Sequence, residues 1–123
     1  MTTNTQLDLP SATDAELDAA IATLRGWTID GSLREGSAVD PSGAVWTIPR
    51  ISTGWWTAGP EFDAMKPRGA DICSRINDCA YRVLWCPVNG RFNHNRWCPT
   101  ATRAIAEAVY MQSMENGASD ERN

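Results

Sequence analysis

The dipeptide Asn89-Gly90 falls between two extended runs, 81–88 and 91–97. A two-residue hairpin turn that matches the twist of its strands needs positive φ at both central residues, and Asn followed by Gly supplies it at little steric cost. The chain is therefore expected to fold back on itself over 81–97, so an antiparallel sheet belongs to any fold it adopts. Pro87 has no N–H for a ladder, which places this hairpin at a sheet edge or beside a bulge.

Helices are read on either side of the hairpin. Thr13 and Glu16 stand three apart, the spacing at which each side chain satisfies an orphan amide of the other's turn. Leu17, Ala20, Ile21 and Leu24 then recur at helical spacing and Gly26 offers a stop, which predicts a helix over 14–25. Ala101, Ala104, Ile105, Ala108 and Val109 form a second apolar stripe, with Arg103 and Glu107 as an i,i+4 ion pair, in a helix from Pro99 or Thr100 to Met114. Ile72, Ile76 and Cys79 predict a third, from Asp71 to near Cys79. Short strands are expected at 27–29, 44–48 and 51–57. A loop over 31–43 closes in the turn Asp40-Pro41-Ser42-Gly43. The 51–57 strand would put Trp55 and Trp56 on opposite faces and end at Gly59-Pro60. The sum is an α+β fold, a small, largely antiparallel sheet packed with about three helices in an α–β–α layered sandwich. One domain is expected over 13–114, with 1–12 and 115–123 as mobile tails.

A chain of 123 residues has room for one core. Hydrophobic residues at 42% and charged residues at 21% exclude a disordered chain. No apolar run approaches the roughly 20 residues of a membrane span. Residues 1–10 lack the basic start and apolar core of a secretory signal, so a cytoplasmic location in the host cell, with reduced thiols and no membrane partner, is expected. Six tryptophans are many for this length, and Lys66 is the sole lysine, so basic charge is carried by arginine. Trp and Arg are the residues most enriched at the energetic centres of interfaces, although Trp equally fills small cores. Charge is divided along the chain: −6 over residues 1–63, +5 over 64–106 and −3 over 107–123.

Three stretches resemble the phage ABA sandwich domain, a family of small phage and prophage proteins. They are the opening helix from Glu16 to Gly26-Trp27, the segment Ala70-Asp71-Ile72 after Pro67, and the alanine-rich run from Pro99 to Val109. The resemblance implies an α–β–α layered fold and a phage or prophage origin, and it transfers no catalytic residues. Small phage accessory proteins are often inhibitors of host defences, anti-CRISPR proteins among them, which is an analogy of origin.

The four cysteines, Cys73, Cys79, Cys86 and Cys98, are separated too widely for the two-thiolate knuckle of a zinc site. With Asn89-Gly90 as the turn, Cys86 faces Asn93 and lies about 16 Å along the strand from Cys98, which precludes a disulfide between them. Free, buried structural thiols are the expected state and no metal site is expected; if there is one, or a disulfide, Cys79 and Cys98, with His94, are its candidate set. Cys98, beside Pro99 at a helix start, is placed where the dipole favours thiolate. His94 shares its strand parity, but four extended residues hold the two about 13 Å apart, so a Cys–His hydrolase is not expected. No phosphate-cradling Gly-rich loop precedes a helix, and no cofactor is expected. The chain is read as a non-enzyme.

The hairpin itself gathers Arg82, Trp85, Arg91, Phe92, Asn93, His94, Asn95, Arg96 and Trp97. Three readings stay open: a protein-binding hot spot, a stacking and phosphate surface for nucleic acid or a nucleotide, or an ordinary structural ribbon with solvated arginines. The expected function is a phage-encoded accessory protein that occludes a host protein or defence complex. Its candidate partner-binding residues are Arg91, Phe92, Asn93, His94, Arg96 and Trp97, with Trp55 or Trp56 as a second anchor. An acidic face over 14–63 that mimics nucleic acid is a variant of that reading. The alternatives are a small nucleic-acid or nucleotide-binding module and a zinc-supported structural domain.

Overall fold

A computed structural model describes residues 7–75, 77, 80–85 and 93–122, with the backbone alone at 68 and 115–122. Its elements are α1 (Asp14–Leu24), β1 (Ser37–Val39), β2 (Val45–Thr47), α2 (Trp55–Met65), β3 (Asp71–Arg75), β4 (Ala80–Trp85), β5 (Asn93–His94) and α3 (Ala101–Arg122). This is the α+β architecture expected, with three helices, but the strands divide into two antiparallel sheets, β1–β2 and β3–β4–β5.

Helix α1 starts as its sequence dictates. Thr13 Oγ1 accepts from the Glu16 amide at 3.1 Å, and Glu16 Oε1 accepts from the Thr13 amide at 2.8 Å. The helix then buries Leu17 and Ile21 against α3, each worth about 1.5–3 kcal/mol of transfer free energy. The expected turn at Asp40 is present: Asp40 Oδ1 accepts from the amides of Ser42 and Ala44, and Gly43 takes φ 94°. This turn joins β1 to β2, although β1 lies inside the stretch expected to be loop. Of the strand expected over 27–29, only Thr28 pairs, bridging to Val39.

Two elements differ in kind from the sequence reading. Residues 51–53 form a turn and Trp55–Met65 is helical, in place of the strand expected over 51–57. Gly59 and Pro60 do not end the segment but lie within the helix. Proline there leaves the carbonyl four residues back without its usual amide, a cost tolerated because Ala58 and Met65 are buried, with Phe62 beside them, in the core shared with α3. Conversely, the helix expected from Asp71 to near Cys79 begins instead as strand β3. Asp71–Arg75 pairs residue for residue with β4, from Asp71↔Leu84 to Arg75↔Ala80. Ladder pairing in a sheet outweighs a short helical period carried by two isoleucines and a cysteine. Ile76 and Cys79 lie outside the described residues.

Helix α3 is the element that α1, α2 and β4 all pack against. Ala104, Ile105, Ala108 and Val109 line it, facing Leu17, Ile21, Ile51, Val83 and Trp85. Part of the stretch read as the N-terminal tail also takes part. Over residues 7–12, the Leu7 amide donates to Tyr110 Oη at 2.9 Å, and Arg103 Nη2 donates to the carbonyls of Leu9 and Ala12. Beyond Met114 the helical backbone continues to Arg122.

Candidate functional site

The antiparallel β4–β5 pair exists as read, and Asn89-Gly90 lies outside the described residues. Its register differs by one: Trp85, not Cys86, sits opposite Asn93, and Leu84 sits opposite His94. Side chains of a strand alternate between faces, so the register sorts the sheet into two surfaces. Val83 and Trp85 turn inward and are fully buried. Asn95 turns inward too, its Oδ1 accepting from the Val83 amide at 2.8 Å and its Nδ2 donating to the Ala104 carbonyl at 2.7 Å. Cys73, Arg75, Arg82 and His94 fall on the outward face.

A one-residue bulge then changes the parity. Asn95 donates to Val83, while Cys98 pairs with Tyr81, so two residues, Arg96 and Trp97, stand opposite one, Arg82. Cys98 is thereby turned into the core, at 1% exposure, on the opposite face from His94. The shared face anticipated for these two residues does not form. Nor is Cys98 poised as a thiolate: burial, with the Glu107 carboxylate adding to it, pushes the thiol up to about 12. Cys79 and Cys86 lie outside the described residues, so the Cys79–His94–Cys98 set is not described. Cys73, half-buried, carries a free thiol.

The candidate binding residues have separate fates. Arg91 and Phe92 lie outside the described residues. Asn93 is half-buried in β5. Arg96 is turned to a structural task, its Nε and Nη2 donating to the two oxygens of Glu107 at 2.9 and 2.8 Å. Glu107 is fully buried and also receives Arg103 Nε at 2.6 Å, the i,i+4 pair expected on α3. Arg103 in turn reaches Asp14 Oδ1 at 2.7 Å. Asp18, on the same helix as Asp14, is buried and accepts from Ser52 Oγ and the Ser52 amide, both at 2.9 Å. Desolvation holds its carboxyl above the usual aspartate value. Of the carboxylates in the acidic surface expected over 14–63, Asp18 thus faces inward, while Asp14 stays half exposed.

Two surfaces remain. On the outward sheet face the guanidinium carbons of Arg75 and Arg82 each lie 4.4 Å from the Trp97 ring centroid, and Arg82 Nη1 is 3.5 Å from His94 Nδ1. The sequence reading misses Arg75 because it places that stretch in a helix; strand alternation over 71–75 is the signal that finds it. At the start of α2, Trp56 is 94% exposed and Trp55 58%. In a helix the two lie about 100° apart rather than on opposite faces. Trp46, on β2, is 59% exposed. A cleft of about 390 Å³ lies between α1 and the 35–53 region, lined by Asp14, Asp18, Glu35 and Arg50 among others.

This geometry defines a small α+β domain, built around one helix, with a basic sheet face and an exposed tryptophan pair. No family model matches the sequence, and no curated protein matches it. The fold is similar to that of a solved phage protein from Bacillus cereus ATCC 14579, with a TM-score of 0.65 and 15% identity over 93% of this chain and 96% of that one. The likeness is one of fold. No helix among the described residues is long and apolar enough to cross a membrane.

Proposed function

We propose that this chain is a phage-encoded, non-catalytic accessory protein that binds a host protein through the tryptophan pair of α2 and blocks it by steric occlusion, as an inhibitor of a host defence system would. The observation that carries the reading is Trp56, which is 94% exposed beside the half-exposed Trp55. An indole left in water forgoes one of the largest burial free energies any side chain offers, and Trp is a preferred anchor of protein interfaces. The fold shared with a phage protein supports the origin.

The nucleic-acid alternative is weakened on the hairpin. Of its aromatic residues, Trp97 has its π surface already engaged by two guanidiniums, and Phe92 lies outside the described residues. Trp85, the other hairpin indole, is in the core. Affinity capture from host extract with the parent protein and with the Trp55→Ala/Trp56→Ala double variant tests the proposal. A host protein retained by the parent and lost by the variant is the expected result. Identical captures by the two would overturn the proposed surface.

A further inference from the structure

We infer that the free edge of β2 joins two copies of this chain, each β2 pairing antiparallel with the other about a two-fold axis at Trp46. This goes beyond the proposed function and does not rest on the tryptophan pair of α2, which lies on a different element.

Backbone pairing shows which way the edge faces. Val39 exchanges both of its backbone hydrogen bonds with Thr28, so its amide and carbonyl point away from β2. Val45 stands opposite Val39. In an antiparallel ladder both residues of such a pair turn their N–H and C=O outward, and Thr47, two residues on, does the same. Among the described residues no backbone group meets the amides or carbonyls of Val45 and Thr47. All three residues of β2 are exposed. The edge also has defined ends. Gly43, at φ 94°, turns the chain away on one side, and Pro49 has no N–H to offer on the other. An open edge is a template for another strand, and a two-stranded sheet is marginal by itself.

Symmetry and charge select a second copy as that strand. With Trp46 opposite its own copy, Val45 of each chain meets Thr47 of the other. The outward amides of each strand then donate to the outward carbonyls of the other, four hydrogen bonds in all. A slip of two residues either way brings Gly43 or Pro49 into the ladder and loses bonds, so one register is preferred. Just past the strand, Arg50 comes level with Ser42 of the second copy. The amide and hydroxyl of Ser42 hold the Asp40 carboxylate, and these bonds keep it below the usual aspartate value and charged. Arg50 has no carboxylate of its own among the described residues, so opposite charges meet at both ends of the joint. A foreign strand would satisfy one edge only, whereas a second copy satisfies two, and the two-fold closes the contact at two chains.

Sedimentation velocity of the full-length protein, over a series from micromolar to millimolar, tests this. A reversible dimer should appear as concentration rises. Thr47→Pro removes an outward donor that β1 does not use, and the two-fold deletes two bonds at once. It should weaken dimerisation about tenfold or more. A second variant checks the register without proline. In a non-hydrogen-bonded antiparallel pair the Cα atoms lie about 4.5 Å apart, within reach of a disulfide. Trp46→Cys should therefore link two chains through that position on mild oxidation, identified by mass spectrometry of the unreduced digest. Trp55→Ala/Trp56→Ala should dimerise as the parent does, so that failure here and failure of the proposed function are separable. A parent that stays monomeric throughout, dimerisation unchanged by Thr47→Pro, no link through the Trp46→Cys position, or loss of the dimer in Trp55→Ala/Trp56→Ala would each overturn the inference.

Discussion

Glu107 is the residue on which the most distant parts of the chain converge. It is wholly buried, and two guanidiniums reach it, Arg96 from beside the hairpin and Arg103 from its own helix. Glu107→Ala takes the carboxylate from Arg96 and leaves Arg103 with Asp14 alone, and a loss of about 3 kcal/mol in urea unfolding is expected. Asp18 behaves differently. Its carboxyl is raised above 3.8 by burial, so the native state holds that proton more tightly than the unfolded chain does. Its contribution is therefore complete below the usual aspartate value and is lost as pH rises through the raised one. Asp18→Asn should gain stability relative to the parent over that rise, read as the difference between urea midpoints against pH. Cys98, buried and pushed up to about 12, should resist alkylation at pH 8 in the folded protein. Cys73 should react there, as peptide mapping by mass spectrometry will report.

At the level of elements, physical strength decides what is legible. The Thr13–Glu16 cap, the Asp40 turn and the Arg103–Glu107 pair are local devices whose partners sit within four residues, so spacing alone places them. The 55–65 helix is hidden by Gly59-Pro60, two residues that usually punctuate, while its real signal is the apolar series Ala58, Phe62 and Met65. The 71–75 strand is hidden because its identity comes from β4, a partner brought by the fold rather than by neighbours in sequence. The candidate site suffers likewise. His94 and Trp97 are placed near it by the hairpin, but Arg75 joins them only through pairing, and the bulge before Cys98 reverses the parity of the residues beyond it. The same 55–65 helix supplies a prediction. A Cβ built on Gly59 meets nothing within 4 Å, so Gly59→Ala should stabilise the protein by about 0.5–1 kcal/mol, measurable as a higher urea midpoint.

On the scale of the molecule, α1, α2 and β4 share one partner in α3, and the segment at 7–12 is tied to it by Arg103 and Tyr110. Among the described elements this helix is also the last in chain order. During synthesis, then, Leu17, Ile21, Val83 and Trp85 all leave the ribosome before the surface that will shield them exists. The two sheets can pair ahead of it, but the core cannot close, so a nascent chain halted ahead of Ala101 should be readily digested by protease, whereas one extended through α3 should acquire resistance.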